Sequence, residues 1–145
     1  MATSRRPERL VVDANPILSA LVGGKARRIF FEGAIQEFAV PEAVIDEVRT
    51  HLPHLSRKMG IGRRFLDSAL GLLPLTAYPP GAYHQTLAEA RRRIGQRDPD
   101  DVDVLGLTLQ LQIPLWSNDR DFEGTGVEHL TTARLLTMFF GPSTR

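Results

Sequence analysis

Asp13, Glu47, Asp101 and Asp119 are the residues whose type and setting point most directly to chemistry. Asp13 closes the run Leu10-Val11-Val12, and a carboxylate ending so apolar a stretch must be hydrogen-bonded, paired or metal-bound. Asp119 follows Leu115-Trp116-Ser117-Asn118 in a similar way. Glu47 sits between Val44 and Val48 on a helical repeat, at the border of the buried face. Asp101 lies about one turn before Leu105, on the core side of its own helix. Carboxylates gathered together repel and raise each other's pKa unless a cation neutralises them, and a hard divalent ion is the natural partner. Mg²⁺ or Mn²⁺ takes oxygen ligands, keeps several waters and binds substrate phosphate through the same shell. Such an ion orients and deprotonates water, polarises a phosphoryl group and neutralises a leaving oxygen, so no histidine base is required.

Each acid alone has a plainer reading. Asp98, Asp100 and Asp101 make a good helix start, with Asp98 as cap, Pro99 at the first position and the helix dipole favouring negative charge. Asp119 and Asp121 suit a turn after a strand, and a lone Glu47 would be an ordinary surface residue. The argument therefore rests on the constellation. His51, His54, His84 and His129 show no metal-ligand spacing and read as surface or structural. There is no cysteine, which removes disulfides, thiolate ligands and a catalytic thiol. The net charge is only +1, but the cations are nearly all arginines, in the clusters Arg5-Arg6, Arg27-Arg28, Arg63-Arg64 and Arg91-Arg92-Arg93. Guanidinium forks suit phosphate, although arginines on exposed helix faces are usually just solvated.

Something must bring these acids together, and the periodicity indicates what. Short apolar runs alternate with helical patterns, which predicts an α/β domain with a mostly parallel sheet. Strands are predicted at Leu10 to Val12, Glu37 to Val40, Leu72 to Thr76, Pro114 to Trp116 and Val127 to Leu130. Helices are predicted around Ile17 to Leu21, Lys25 to Gly33, Pro41 to Arg57 with a break at Pro53, Arg63 to Leu70, Ala82 to Gly95, Asp98 to Gln112 and Thr132 to Phe140. In an open parallel sheet, sites form beyond the carboxyl ends of the strands. If the first and fourth strands are neighbours, Asp13 and Asp119 share one edge.

At 145 residues the chain is long enough for one sizeable core, which predicts a single domain over 9–140 with a flexible tail at 1–8 and another at 141–145. The polar start lacks the apolar core of a signal peptide, and no run approaches the roughly 20 apolar residues that cross a bilayer, so a cytoplasmic location is expected. Trp116 is expected in the strand core, and Phe30, Phe31, Phe139 and Phe140 in the core or at a dimer interface.

Val11-Val12-Asp13-Ala14-Asn15-Pro16-Ile17-Leu18-Ser19-Ala20, Val44-Ile45-Asp46-Glu47-Val48, Asp98-Pro99-Asp100-Asp101 and Leu115-Trp116-Ser117-Asn118-Asp119-Arg120-Asp121-Phe122 together resemble a PIN domain, over about Arg9 to Phe140. Within that superfamily the chain is similar to the single-domain prokaryotic proteins related to VapC toxins. The resemblance implies a three-layer fold with a five-stranded parallel sheet, and Mg²⁺- or Mn²⁺-dependent cleavage of RNA. It implies that Asp13, Glu47, Asp101 and Asp119 are the catalytic acids, with Asp121 a further acid that in some members stands in for the fourth. Metal ligands would come from Asp13, Asp101, Asp119 and Asp121, with Asp13 and Asp101 in the most direct contact. Asn15 and Ser117 match polar residues that hold the acids in place. Arg97 and Arg120 are candidate phosphate contacts, and a homodimer and a cognate antitoxin are the expected partners. Asp103 departs from the pattern, in a place where a small or apolar residue is expected, and lies about 200° around the helix from Asp101, away from the site.

Two other readings compete. In one, the chain is a non-catalytic RNA- or protein-binding module whose acids serve stability. In the other it is a phosphatase or receiver-like domain, but that needs a second acid near Asp13 and a lysine further on; the chain offers Asn15, and its only lysines are Lys25 and Lys58.

Overall fold

The computed structural model describes residues 5–141. Of the predicted tails, 1–4 and 142–145 therefore lie outside the described residues. Within the remainder, Pro7 is buried and the Gln36 amide donates to the Glu8 carbonyl at 2.8 Å.

Five parallel strands form one sheet in the order β3-β2-β1-β4-β5. They are β1 (Arg9–Val12), β2 (Glu37–Pro41), β3 (Leu75–Tyr78), β4 (Leu115–Trp116) and β5 (His129–Leu130). Among the described residues seven α-helices connect and flank them: α1 (Ala14–Leu21), α2 (Ala26–Glu32), α3 (Glu42–Met59), α4 (Arg63–Leu72), α5 (Leu87–Ile94), α6 (Val102–Leu111) and α7 (Thr132–Phe140). The result is a three-layer α/β fold. Central strands of a parallel sheet are covered on both faces, which is why β1 reads as an unbroken apolar run and Leu10, Val11 and Val12 are fully buried. Phe30 of α2 stacks between Phe38 of β2 and Trp116 of β4, with ring centroids 4.7 and 4.8 Å away. On the same sheet α6 packs against β1 and β2, and α5 against α6.

Several boundaries differ from expectation: the first helix starts at Ala14, and the helix predicted from Asp98 opens as the 3-10 turn Pro99–Asp101, with α6 beginning at Val102. The third strand begins at Leu75 instead of Leu72, because α4 continues to Leu72 and the extended Leu73 precedes Pro74, which disfavours a helical residue before it. No break occurs at Pro53, and α3 runs through it to Gly60, whose φ of 68° ends the helix. Arg49, four residues back, is exposed, so water can satisfy a carbonyl there that lacks its donor. The helix predicted from Ala82 starts only at Leu87; Pro80–Ala82 and His84–Thr86 are 3-10 turns instead. The buried Tyr83 ring fixes this segment, and the Thr86 hydroxyl lies 2.6 Å from the Gly106 carbonyl of α6. The fifth strand shortens to His129–Leu130.

Candidate metal centre

Register decides the meeting of the first two site residues. Val12 pairs with Trp116, so the residues that leave β1 and β4 emerge side by side. The Asp13 amide donates to the Trp116 carbonyl at 3.0 Å, and the Ser117 hydroxyl donates to Asp13 Oδ2 at 2.7 Å. Asp13 Oδ1 accepts from the Ala14 amide at 2.8 Å and caps α1. The Ser117 oxygen also accepts from the Asp119 amide at 3.0 Å, so one fully buried hydroxyl ties both acid-bearing strand ends together. From the neighbouring strand, His129 places Nε2 2.7 Å from the Ser117 carbonyl, a structural use of that ring.

The second pair of acids comes from the turn before α6. Asp98 caps the 3-10 turn Pro99–Asp101 by accepting from the Asp100 amide at 3.1 Å, as its sequence position suggested. Asp119 caps the turn Arg120–Phe122 in the same way, accepting from the Asp121 amide at 2.9 Å. Each of Asp98, Asp101, Asp119 and Asp121 presents a carboxylate oxygen within 4.8 Å of the other three. Asp98, in sequence a helix cap, thus joins the cluster as well. Its spacing of one turn from Asp101 was the signal that it shares a side with that residue. Asp13 and Glu47 are not in this set but lie in its field.

The electrostatics are those of a site lacking positive charge. Burial pushes the Asp101 pKa up to about 9, helped by Asp13, by Asp98 through charge and a hydrogen bond, and by Asp119. Burial likewise raises Asp13 against the opposing hydrogen bonds of Ser117 and Ala14, with Asp119 and Asp98 adding to the rise. Glu47 is half-buried, and burial followed by Asp13 raises it too, His51 pulling the other way. The ion pairs Arg9–Glu37, Arg28–Glu32, Arg49–Asp46, Arg92–Glu89 and Arg93–Glu89 all lie on other acids. Asp101 is 7% exposed, and its Oδ2 is buried without a hydrogen-bond partner. A buried carboxyl oxygen left without a partner among converging acids is what a hard divalent ion would satisfy, once the group gives up its proton to it. The donor set, all oxygen, fits such an ion.

The other predicted residues fall less centrally. Asn15 is exposed and, among the described residues, makes no hydrogen bond to an acid. Arg120 is exposed beside the cluster. Arg97 donates from Nη2 to the Asp121 carbonyl at 2.8 Å, so part of its fork is committed to backbone. Asp103 accepts from the Tyr83 hydroxyl at 2.8 Å and stays outside the cluster, which gives that unexpected acid a place: it anchors a buried tyrosine. Burial and this bond raise the Tyr83 pKa.

A three-layer parallel sheet with converging carboxylates at its carboxyl edge defines a class of α/β folds with a metal-compatible site. A family model described as PIN domain matches residues 11–139, and the chain belongs to that family. Nuclease character accompanies this membership. No curated protein was found that matches the chain. Among the described residues no helix is long and apolar enough to cross a membrane.

Proposed function

We propose that this chain is a Mg²⁺- or Mn²⁺-dependent endoribonuclease of the VapC type, acting in the cytoplasm as the toxin of a toxin–antitoxin pair. One observation carries the catalytic part: the buried, unpartnered Oδ2 of Asp101 among carboxylates within 4.8 Å of one another. Asp98, Asp101, Asp119 and Asp121 would hold the ion. When bound, it supplies Lewis acidity and a water of lowered pKa. Asp13 is held rigid by Ser117 and Ala14, and so fixes one wall of the site. Glu47, with a raised pKa and no side-chain hydrogen bond among the described residues, is the group free to take a proton from the attacking water. It borders a cleft of about 320 Å³ that also reaches His51, Asp100 and Asp103. Arg120, exposed next to Asp119, is the candidate phosphate contact.

Support for a protein partner and a homodimer is an exposed apolar surface whose lining includes none of these acids. Phe31, Phe65 and Leu72 are 54, 61 and 75% exposed and line a groove of about 240 Å³ among α1, α2 and α4. A second reading is favoured by the caps: Asp98 and Asp119 each satisfy a backbone amide, as acids kept for stability would. In that case the chain is a non-catalytic RNA- or protein-binding module. Incubation with single-stranded oligoribonucleotides in Mn²⁺, against EDTA and against Asp101→Asn, separates the two. Cleavage by the parent alone, only with metal, is the expected result; intact RNA in all three would leave the binding module.

A further inference from the structure

We propose that Arg93 and Arg97 are positioning residues that clamp the loop carrying Asp119 and Asp121 against the turn carrying Asp98 and Asp101. This rests on the reading of those acids as a metal centre. The two acid pairs sit on separate pieces of chain, and four carboxylates within 4.8 Å repel one another. Something other than their own charge must keep the pieces together when no ion is bound. Arg93, on α5, donates from Nη1 to the Thr125 carbonyl at 2.7 Å while its Nε is held by Glu89 at 2.6 Å. Arg97, just before Asp98, donates from Nη2 to the Asp121 carbonyl at 2.8 Å. Both guanidinium groups therefore reach from the segment leading into Asp98 to the backbone between Asp119 and β5.

The receiving loop is built for a close approach. Thr125 is 4% exposed, and its hydroxyl donates to the Phe122 carbonyl at 2.6 Å. Gly126 has a φ of 88°, and a Cβ there would come within 3.0 Å of Arg93 Nη1. A side chain at this position would be strained by the positive φ and would push the Arg93 guanidinium aside by a few tenths of an ångström. Charged donors on backbone carbonyls make stronger bonds than neutral ones, and they fix the loop without placing a cation on a carboxylate, where it would compete with the metal.

The test is calorimetric Mn²⁺ titration without RNA, for the parent and for Arg93→Ala, Arg97→Ala, the double variant, Arg97→Lys and Arg91→Ala. Michaelis constants are then measured on a single-stranded oligoribonucleotide at saturating Mn²⁺. The double variant should bind Mn²⁺ about tenfold more weakly, the lower end for groups that orient metal ligands. Arg97→Lys should restore most of the single loss, because an ammonium can still donate to one carbonyl, and Arg91→Ala should match the parent. KM for RNA should stay at the parent value. If Arg93→Ala does not fold, Arg97→Ala decides alone, since that side chain is at the surface. Unchanged Mn²⁺ affinity in the folded variants overturns the clamp, and a raised KM beside unchanged affinity makes Arg97 a phosphate contact instead. A parent that takes up no Mn²⁺ refutes the metal centre itself, and the clamp's purpose with it.

Discussion

The two edges of the sheet treat the same kind of residue in opposite ways. At the amino edge, Glu37 on β2 is met by Arg9 of β1 at 2.6 Å and by the Tyr78 hydroxyl at 2.6 Å. Partial burial pushes its pKa up, but the bonds from Tyr78 and Arg9 outweigh this and the net direction is down. At the carboxyl edge, Asp13, Asp101 and Glu47 all have raised pKa values, burial being the largest cause for each. An acid that finds its partner within the fold contributes to stability, whereas acids left short of one are set for something from outside.

The largest effect expected on this contrast is at Asp13. Asp13→Asn should lower metal-dependent RNA cleavage by about 100-fold, the upper end for groups that hold a metal site in shape, while circular dichroism stays native. Cleavage at the parent rate would show that the carboxyl edge is as structural as the amino one. Ser117→Ala comes next. It removes the donor to Asp13 and the acceptor for the Asp119 amide, and should weaken Mn²⁺ binding by about 10- to 100-fold in a calorimetric titration.

Stability should then move in opposite senses with pH at the two edges. Asp101 loses its proton near 3.8 in the unfolded chain but only near 9 in the fold, so between those values the folded state binds more protons. Its favourable contribution is complete below about 4 and is lost as pH rises towards 9 in metal-free buffer. Mn²⁺ affinity should climb over the same range, since the ligand must deprotonate. Asp101→Asn should accordingly stabilise the metal-free protein at pH 8 by roughly 1–3 kcal/mol in urea melts and flatten the alkaline decline. An unchanged pH profile would mean that Asp101 is charged and compensated after all.

Glu37 has the reverse sign. Its lowered pKa makes it stabilising above about 4.5, with the contribution lost as pH falls below that. Glu37→Gln should cost roughly 0.5–1 kcal/mol at neutral pH, and Tyr78→Phe about 0.5 kcal/mol or less. Neither should alter the Mn²⁺ titration, and a change there would erase the distinction between the edges.

Much of this was legible along the chain. Apolar runs closed by Asp13 and by Ser117-Asn118-Asp119 mark strands with polar ends, and the Asp98-Pro99 start of a helix is written in capping chemistry that acts over a few residues. Helix α7 runs over Thr132–Phe140 as expected, and the structure shows its ends set by the Thr131 cap and by Gly141. Other features were not legible in this way. Asp98 looked like a cap and nothing more, because a cap is satisfied by its own neighbours, while its approach to Asp119 depends on where β4 lies. Arg97 reads in sequence as a candidate phosphate contact, whereas the fold commits part of its fork to the Asp121 carbonyl. Asp103 looked misplaced until Tyr83 folded down onto it.

Sequence by itself determined the alternating α/β pattern, the candidate acids and most helix ends, since periodicity, caps and turns are set by contacts a few residues apart. The strand order β3-β2-β1-β4-β5, which puts β4 beside β1, was decided only by the tertiary structure. So was the choice of which acids converge. Parallel strands join through long crossovers, and the spacing of residues along the chain carries no record of which strand ends become neighbours in space.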